Sequence, residues 1–342
     1  MKLAVVGLGL VSPAGITSSE HVFYLRARVP PPAASPFLLA GGRRLSVGFC
    51  PWIGARERAA ARIARIALTA MVEATRPLLH PARAPGLDRI ALVLVAASPR
   101  PGLSRDDVRE VEAALAARLG VVDPLRFRGE AGCFAGLRAA EELLAGGQAR
   151  AVAIVAADSL ISIERLRHWV SHPPSPWAAE VPRPSEGAAA LVVTTPDAAR
   201  LARLPLLGTV HGAAVVQGRS TDADDAIVDG AAMTQALRDL PRIGRVGAVF
   251  GQLQVGSLRQ TEWLLALARS GERFEPEHEA TCPEVEVGVV GAAAGAFNLA
   301  YGLATLRHGA TESPAAAGAP MLAWAISPDG TRGVAMATGA GA

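Results

Sequence analysis

Lysine is all but missing from this chain: Lys2 is the only one among 34 basic side chains. The remaining cations are arginines interspersed with 31 acidic residues, for a net charge of +3. No basic block or stripe exists, so the electrostatic footprint of a nucleic-acid-binding protein is absent. Cysteine is scarce too. Cys50, Cys133 and Cys282 are too few and too unevenly spaced for a disulfide framework, which points to a reducing, cytoplasmic compartment. No Cys-x-x-Cys or Cys/His cluster suggests zinc. His168 and His172 have the helical spacing of a ligand pair, but Pro173 and Pro174 follow at once and no carboxylate pattern supports them, so no metal and no cofactor is expected. No apolar run of roughly 18 residues is free of charges and breakers, which argues against a membrane span. The first ten residues contain Gly7 and Gly9 and lead into a turn, unlike a signal peptide.

What is present is small and apolar. Half of the 342 residues are hydrophobic while only 4% are aromatic, so the core is built from Ala, Val and Leu, with enough of them to bury a large interior. Continuous apolar runs read as strands buried on both faces: Lys2 to Leu10, Ile90 to Ala97, Ala151 to Ala157, Gly187 to Thr195, Val246 to Phe250 and Met321 to Ile326. Helical periodicity alternates with them at Ala59 to Thr75, Ala131 to Ala145, Leu258 to Arg269 and Ala292 to Leu306. Ser104 with Asp106 and Asp107 starts a further helix that runs to Leu119 before Gly120. Val29 to Leu45 and Ser171 to Pro184, rich in turn formers, read as excursions. This alternation is that of an α/β layered protein. It also echoes itself: a helix dense in Ala and Gly precedes a buried strand at Gly132 to Ala145 and again at Ala292 to Leu306. Small side chains let backbones approach, so these two helices are expected to pack together at the centre of a pseudo-symmetric molecule, with halves at 1–200 and 201–342.

The opening Val5-Val6-Gly7-Leu8-Gly9-Leu10-Val11-Ser12-Pro13-Ala14-Gly15 invites a dinucleotide-binding reading. The third glycine position holds Ser12, however, and Pro13 breaks the required helix start. The same segment resembles the first strand and turn of the β-ketoacyl synthases of the thiolase superfamily. Ser185-Glu186-Gly187-Ala188-Ala189-Ala190 resembles the strand that closes that family's first half. Gly288-Val289-Val290-Gly291-Ala292-Ala293-Ala294-Gly295-Ala296 resembles its Gly-His-x-x-Gly-Ala-Ala-Gly-Ala helix start, and Cys133-Phe134-Ala135-Gly136 its Cys-x-x-Gly elbow. The resemblance spans nearly the whole chain and implies a thiolase-like fold of five layers, αβαβα.

The departures from the pattern bear on activity. Condensing enzymes use a cysteine at a strand-to-helix elbow and two histidines that assist decarboxylation. Aligned on the Gly-Ala-Ala-Gly helix, Val289 stands where the second histidine belongs; the first belongs in a segment that here begins at Gly251 and runs Gly251-Gln252-Leu253-Gln254-Val255-Gly256. Two registers are open for the nucleophile. Cys133 fits the motif but leaves the stretch to Gly147 about three residues short; without a gap, Glu130 falls on the nucleophile position. The family's glycine-rich loop of backbone donors is replaced by Ser327-Pro328-Asp329-Gly330-Thr331, and Pro328 has no N–H to give. Asp158-Ser159 resembles the pair found in chain length factors, the inactive partners of ketosynthases. Phe134 and Trp169 are candidates to gate an acyl tunnel. The resemblance therefore implies a non-catalytic subunit that pairs with an active ketosynthase, or with its own copy, and meets acyl carrier protein. The rivals are an accessory or adaptor protein without acyl chemistry, of the kind found in secretion gene clusters, and an acyltransferase using Cys133.

Overall fold

The structure is a computed structural model that describes residues 1–27, 35, 37–38, 42, 44–54, 56–79, 89–171, 182–220, 228–253, 257–311, 316 and 318–340. Most of the Val29 to Leu45 excursion, His172, Pro173, Pro174 and the segment Gln254-Val255-Gly256 lie outside these residues.

The described strands are β1 (Leu3–Val11), β2 (Ile90–Ala96), β3 (Leu125–Arg128), β4 (Ala151–Ser159), β5 (Glu186–Thr194), β6 (Gly208–Gln217), β7 (Val246–Phe250), β8 (Phe274–Thr281), β9 (Met321–Ile326) and β10 (Thr331–Gly339). The helices are α1 (Ser18–Arg26), α2 (Ala59–Thr75), α3 (Arg105–Leu119), α4 (Gly132–Ala145), α5 (Ile163–Ser171), α6 (Pro196–Leu201), α7 (Ala231–Asp239), α8 (Leu258–Arg269), α9 (Pro283–Val287) and α10 (Ala294–Arg307). Caps explain several boundaries. Ser104 and Asp107 form a capping box at the head of α3, and Gly120 ends that helix in the left-handed conformation.

The strand order β3-β2-β4-β5-β1-β6-β10-β9-β7-β8 is a duplication. Read outward-in, β3-β2-β4-β5-β1 and β8-β7-β9-β10-β6 are the same arrangement of successive strands. The sense of each pairing repeats as well: β2 is parallel to β3 and β4, and β7 to β8 and β9, while β5 and β10 run antiparallel to both neighbours. The halves meet through a short antiparallel ladder in which Leu3, Ala4 and Val5 face Val210, Thr209 and Gly208.

Side-chain alternation explains why these strands read as unbroken apolar runs. In β9, Met321, Ala323 and Ala325 enter the central core, whereas Leu322, Trp324 and Ile326 enter an outer core with α7 and α8. In β4, Val152, Ile154 and Ala156 face inward and Ala151, Ala153, Val155 and Ala157 face α2 and α3. Both faces of each half-sheet are covered, as a two-sided sheet requires. The middle layer is α4 and α10, each touching strands of both halves. Residues 294 to 305 of α10 are all buried, the signature of a helix enclosed on every side. The five-layer αβαβα architecture expected from the sequence is thus the one observed.

Gly7 and Gly9 serve this packing rather than a phosphate. A Cβ on either would run into a backbone carbonyl of α2, at Ala74 and Ala70 respectively, so the Gly-x-Gly spacing lets strand and helix backbones touch.

Candidate functional site

The joint between the halves forms where β3 ends. Gly129 turns the chain with φ of +76°, Glu130 and Ala131 make the turn, and α4 begins at Gly132. This turn packs on the head of α10: the Gly295 N–H donates to the Glu130 carbonyl at 3.1 Å, and Gly295 lies against the Cys133 sulfur. The two small-residue helices do pack together.

The two candidate nucleophile positions differ sharply. Cys133 lies inside the first turn of α4, 1% exposed, and burial pushes its thiol well above the ordinary range, with no charged neighbour opposing that rise. Glu130 occupies the turn itself. Its carboxylate is bound by Arg259, from the first turn of α8, at 3.2 Å. Burial raises its pKa, the Arg259 charge works against that rise, and Asp158 adds to it. Beside it stands Glu284 of α9, also buried; burial outweighs Arg259 and pushes its carboxyl up to about 7, with the Glu130 charge contributing in the same direction.

The positions expected to have lost histidines are filled in ways the sequence did not foretell. Gly251 is pressed against the Trp324 indole, and a Cβ there would overlap the ring. The side chain that enters the cluster comes from the next residue, Gln252: its Oε1 accepts from the Ile326 N–H at 2.8 Å and its amide favours the ionised form of Glu284. Val289 packs instead on a separate small core of Leu45, Val47, Leu160, Leu166 and Trp169. Four described histidines are engaged elsewhere: His21 with Ser12 and Thr17, His211 with Thr338, His278 with Glu275, and His308 with Ser19.

Ser327-Pro328-Asp329-Gly330-Thr331 is a tight turn between β9 and β10, closed by Ser327 N–H to Thr331 carbonyl at 2.8 Å and Gly330 N–H to Ser327 carbonyl at 3.0 Å. The Ser327 hydroxyl accepts the Ala131 N–H at 2.9 Å. The Ala131 N–H at the elbow is therefore already used and is not free for a developing oxyanion.

Asp158, at the end of β4, receives Arg100, and its Oδ2 accepts the Ala292 N–H at 3.0 Å. The adjacent Ser159 donates to Glu186 at 3.0 Å. Asp158-Ser159 is thus a structural tie from the first half to the start of the α10 segment. Phe134 is fully buried between α10 and β10, and Trp169 donates its indole N–H to the Pro182 carbonyl. Both are buried. No group of three metal-ligating side chains occurs among the described residues either.

Sequence reasoning missed Arg259, Gln252 and Glu284. Arg259 carries no motif, and Glu284 lies in the short acidic run Pro283–Val287, which reads as a solvated turn until the fold folds it inward.

No family model and no curated protein matches the sequence. Solved structures do match in fold. The ketosynthase from module 6 of the bacillaene synthase from Bacillus subtilis 168 superposes with a TM-score of 0.79 at 13% identity, covering 99% of this chain and 72% of that one. The ishigamide ketosynthase/chain length factor does so at 0.74 and 20% identity over 100% of both chains. A type II polyketide synthase acyl-carrier protein in complex with its ketosynthase bound to the hexaketide gives 0.75 at 14% identity over 99% of both. The chain has the thiolase-like fold of the ketosynthases.

Proposed function

We propose that this protein is a non-catalytic ketosynthase-like subunit of the chain length factor kind, which acts by pairing with an active ketosynthase in fatty-acid or polyketide assembly. One observation supports the reading: the strand-to-helix turn at the centre of the fold carries Glu130, one of the two registers read for the nucleophile, and holds it with Arg259. A carboxylate engaged by a guanidinium is a poor nucleophile, and its acyl form would be a labile mixed anhydride. No described histidine stands beside it to assist decarboxylation, and the Ala131 N–H next to it is taken by Ser327. Cys133, three residues on, is a neutral, enclosed thiol, which disfavours the acyltransferase reading.

Association is supported by the sheet edge. β3 is a terminal strand with one side unpaired among the described residues, Leu125 on it is partly exposed and Val122 just before it is almost wholly so. An edge of this kind invites a partner strand, from a second copy or from a ketosynthase. The full-length match to a chain in a ketosynthase/chain length factor structure agrees with the pairing. Three unpaired thiols suit a cytoplasmic setting.

Intact-mass measurement after incubation with acyl- and malonyl-thioesters tests the silence of the site: no adduct and no carbon dioxide release are expected. A Cys133-dependent acyl adduct overturns the reading in favour of an acyltransferase. Reconstitution with a co-encoded ketosynthase and acyl carrier protein tests the role. A stable pair whose product length responds to this subunit supports it, whereas failure to bind either protein leaves the adaptor reading.

A further inference from the structure

Among the described residues, the cluster at the joint does not balance its charges. Glu130 and Glu284 are 7% and 5% exposed, and the cation that faces both is Arg259, 3.2 Å from Glu130. The other described groups around the pair leave this count unchanged. Asp158, which faces Glu130 from the end of β4, is already engaged by Arg100. Cys282, at the head of α9, is held neutral because burial and then Glu284 push its thiol up to about 12. Glu286, also on α9, lies beside Arg183 instead. Gln252 is neutral; its oxygen is committed to the Ile326 N–H and its NH2 is buried. One oxygen of Glu284 is without a hydrogen-bond partner, and the Gln252 amide and Val290 backbone, which favour the ionised carboxylate, do not outweigh its burial. A second full negative charge with an unpartnered oxygen in this enclosed place is far more costly than a neutral carboxyl.

We propose that Glu130 and Glu284 share a single proton, seated chiefly on Glu284, and that this proton is a pH-sensitive latch on the joint between the two halves of the molecule. Glu130 belongs to the first half, at the head of α4, while Arg259 and Glu284 come from α8 and α9 of the second. With the proton in place, Arg259 serves one carboxylate. Once it leaves, two like charges bear on one guanidinium and the elbow is pushed away from α9. Burial sets both carboxyls above the ordinary carboxylate range, so release falls near neutrality and belongs to the pair as a unit. The folded protein holds this proton more tightly than the unfolded chain does. The stability it contributes is therefore complete at acid pH and is lost as pH rises through about 7.

The test compares wild type with Glu284→Gln, an isostere of the protonated carboxyl, in equilibrium unfolding from about pH 4 to about pH 8. The two should coincide at the acid end. The variant should then become progressively more stable than wild type and reach a constant advantage above about pH 7. All other titrating groups cancel in the difference, so parallel curves overturn the proposal. A second measurement uses wild type alone: a protonated-carboxyl carbonyl stretch in the infrared should be present at mildly acid pH and disappear on titration through neutrality. Absence of that band overturns the proposal, and the band decides the matter if Glu284→Gln does not fold. Neither measurement involves a partner, so both stand apart from the proposed pairing role.

Discussion

Gly251 and Trp324 occupy one space: the glycine at the end of β7 lies flat against an indole on β9 that is itself stacked on Trp263 at 5.1 Å. This contact closes the volume into which a side chain from position 251 would project. Gly251→Ala should destabilise the protein by about 1–3 kcal/mol, the usual cost of overpacking a rigid core. Gly251→His should cost more and restore no condensing activity. Urea unfolding of the two variants checks the first part and a malonyl-thioester decarboxylation assay the second.

Thiol chemistry separates the enclosed scaffold from the acyltransferase. Burial pushes Cys50 and Cys133 upward and Cys282 up to about 12, so almost no thiolate exists at neutral pH. A colorimetric thiol titration of the native protein should show negligible fast reaction, and three reactive thiols after denaturation. Rapid alkylation of native Cys133 would contradict the structure.

Arg62 and Glu186 form an ion pair in which both side chains are almost wholly buried. The carboxylate also accepts the Cys50 N–H at 2.7 Å and the Ser159 hydroxyl at 3.0 Å, tying α2, β4 and β5 together. Arg62→Ala leaves that charge enclosed and unpaired, and should cost about 3–5 kcal/mol in chemical denaturation. The double variant Arg62→Met with Glu186→Leu should recover much of the loss. Equal instability of the single and double variants would show that shape, rather than the stranded charge, sets the cost.

His21 gives stability an acid limb. Burial drives its pKa down to about 4, against the Thr17 carbonyl and Glu20, which favour the charged ring. The folded protein therefore binds fewer protons than the unfolded chain between about 4 and the ordinary 6.5. The contribution of the neutral ring is complete above about 6.5 and is lost as pH falls toward 4, by on the order of 3 kcal/mol. The stability difference between wild type and His21→Gln, followed over this range, should shift in favour of the variant as pH falls. This slope is opposite in sign to that of the Glu130–Glu284 pair.

Much of the architecture was legible in residue order. Ala59–Thr75, Val246–Phe250, Leu258–Arg269 and Met321–Ile326 were bounded correctly by the apolar pattern alone, because their apolar positions are clearly set off from their neighbours. Four strands, β3, β6, β8 and β10, were not read as strands. β3 is short and mostly exposed, and β8, with Glu275, Glu277 and Glu279, shows edge-strand charge rather than a buried run. The duplication was visible as two Ala/Gly-rich helices, but the matched order and sense of five strands in each half appeared only once the pairings were known.

By itself the sequence determined the layered fold, since two-sided burial requires continuous apolar strands and close helices require glycine and alanine. It also established that histidine is missing from the two expected segments. It left open which residue sits at the elbow and gave no hint of what surrounds it. What surrounds Glu130 was decided by tertiary structure, because Arg259 and Glu130 stand 129 positions apart and meet only when the two halves close on α4 and α10. An ion pair between distant segments leaves no periodicity to read: its partners are ordinary charged residues until folding removes the water between them.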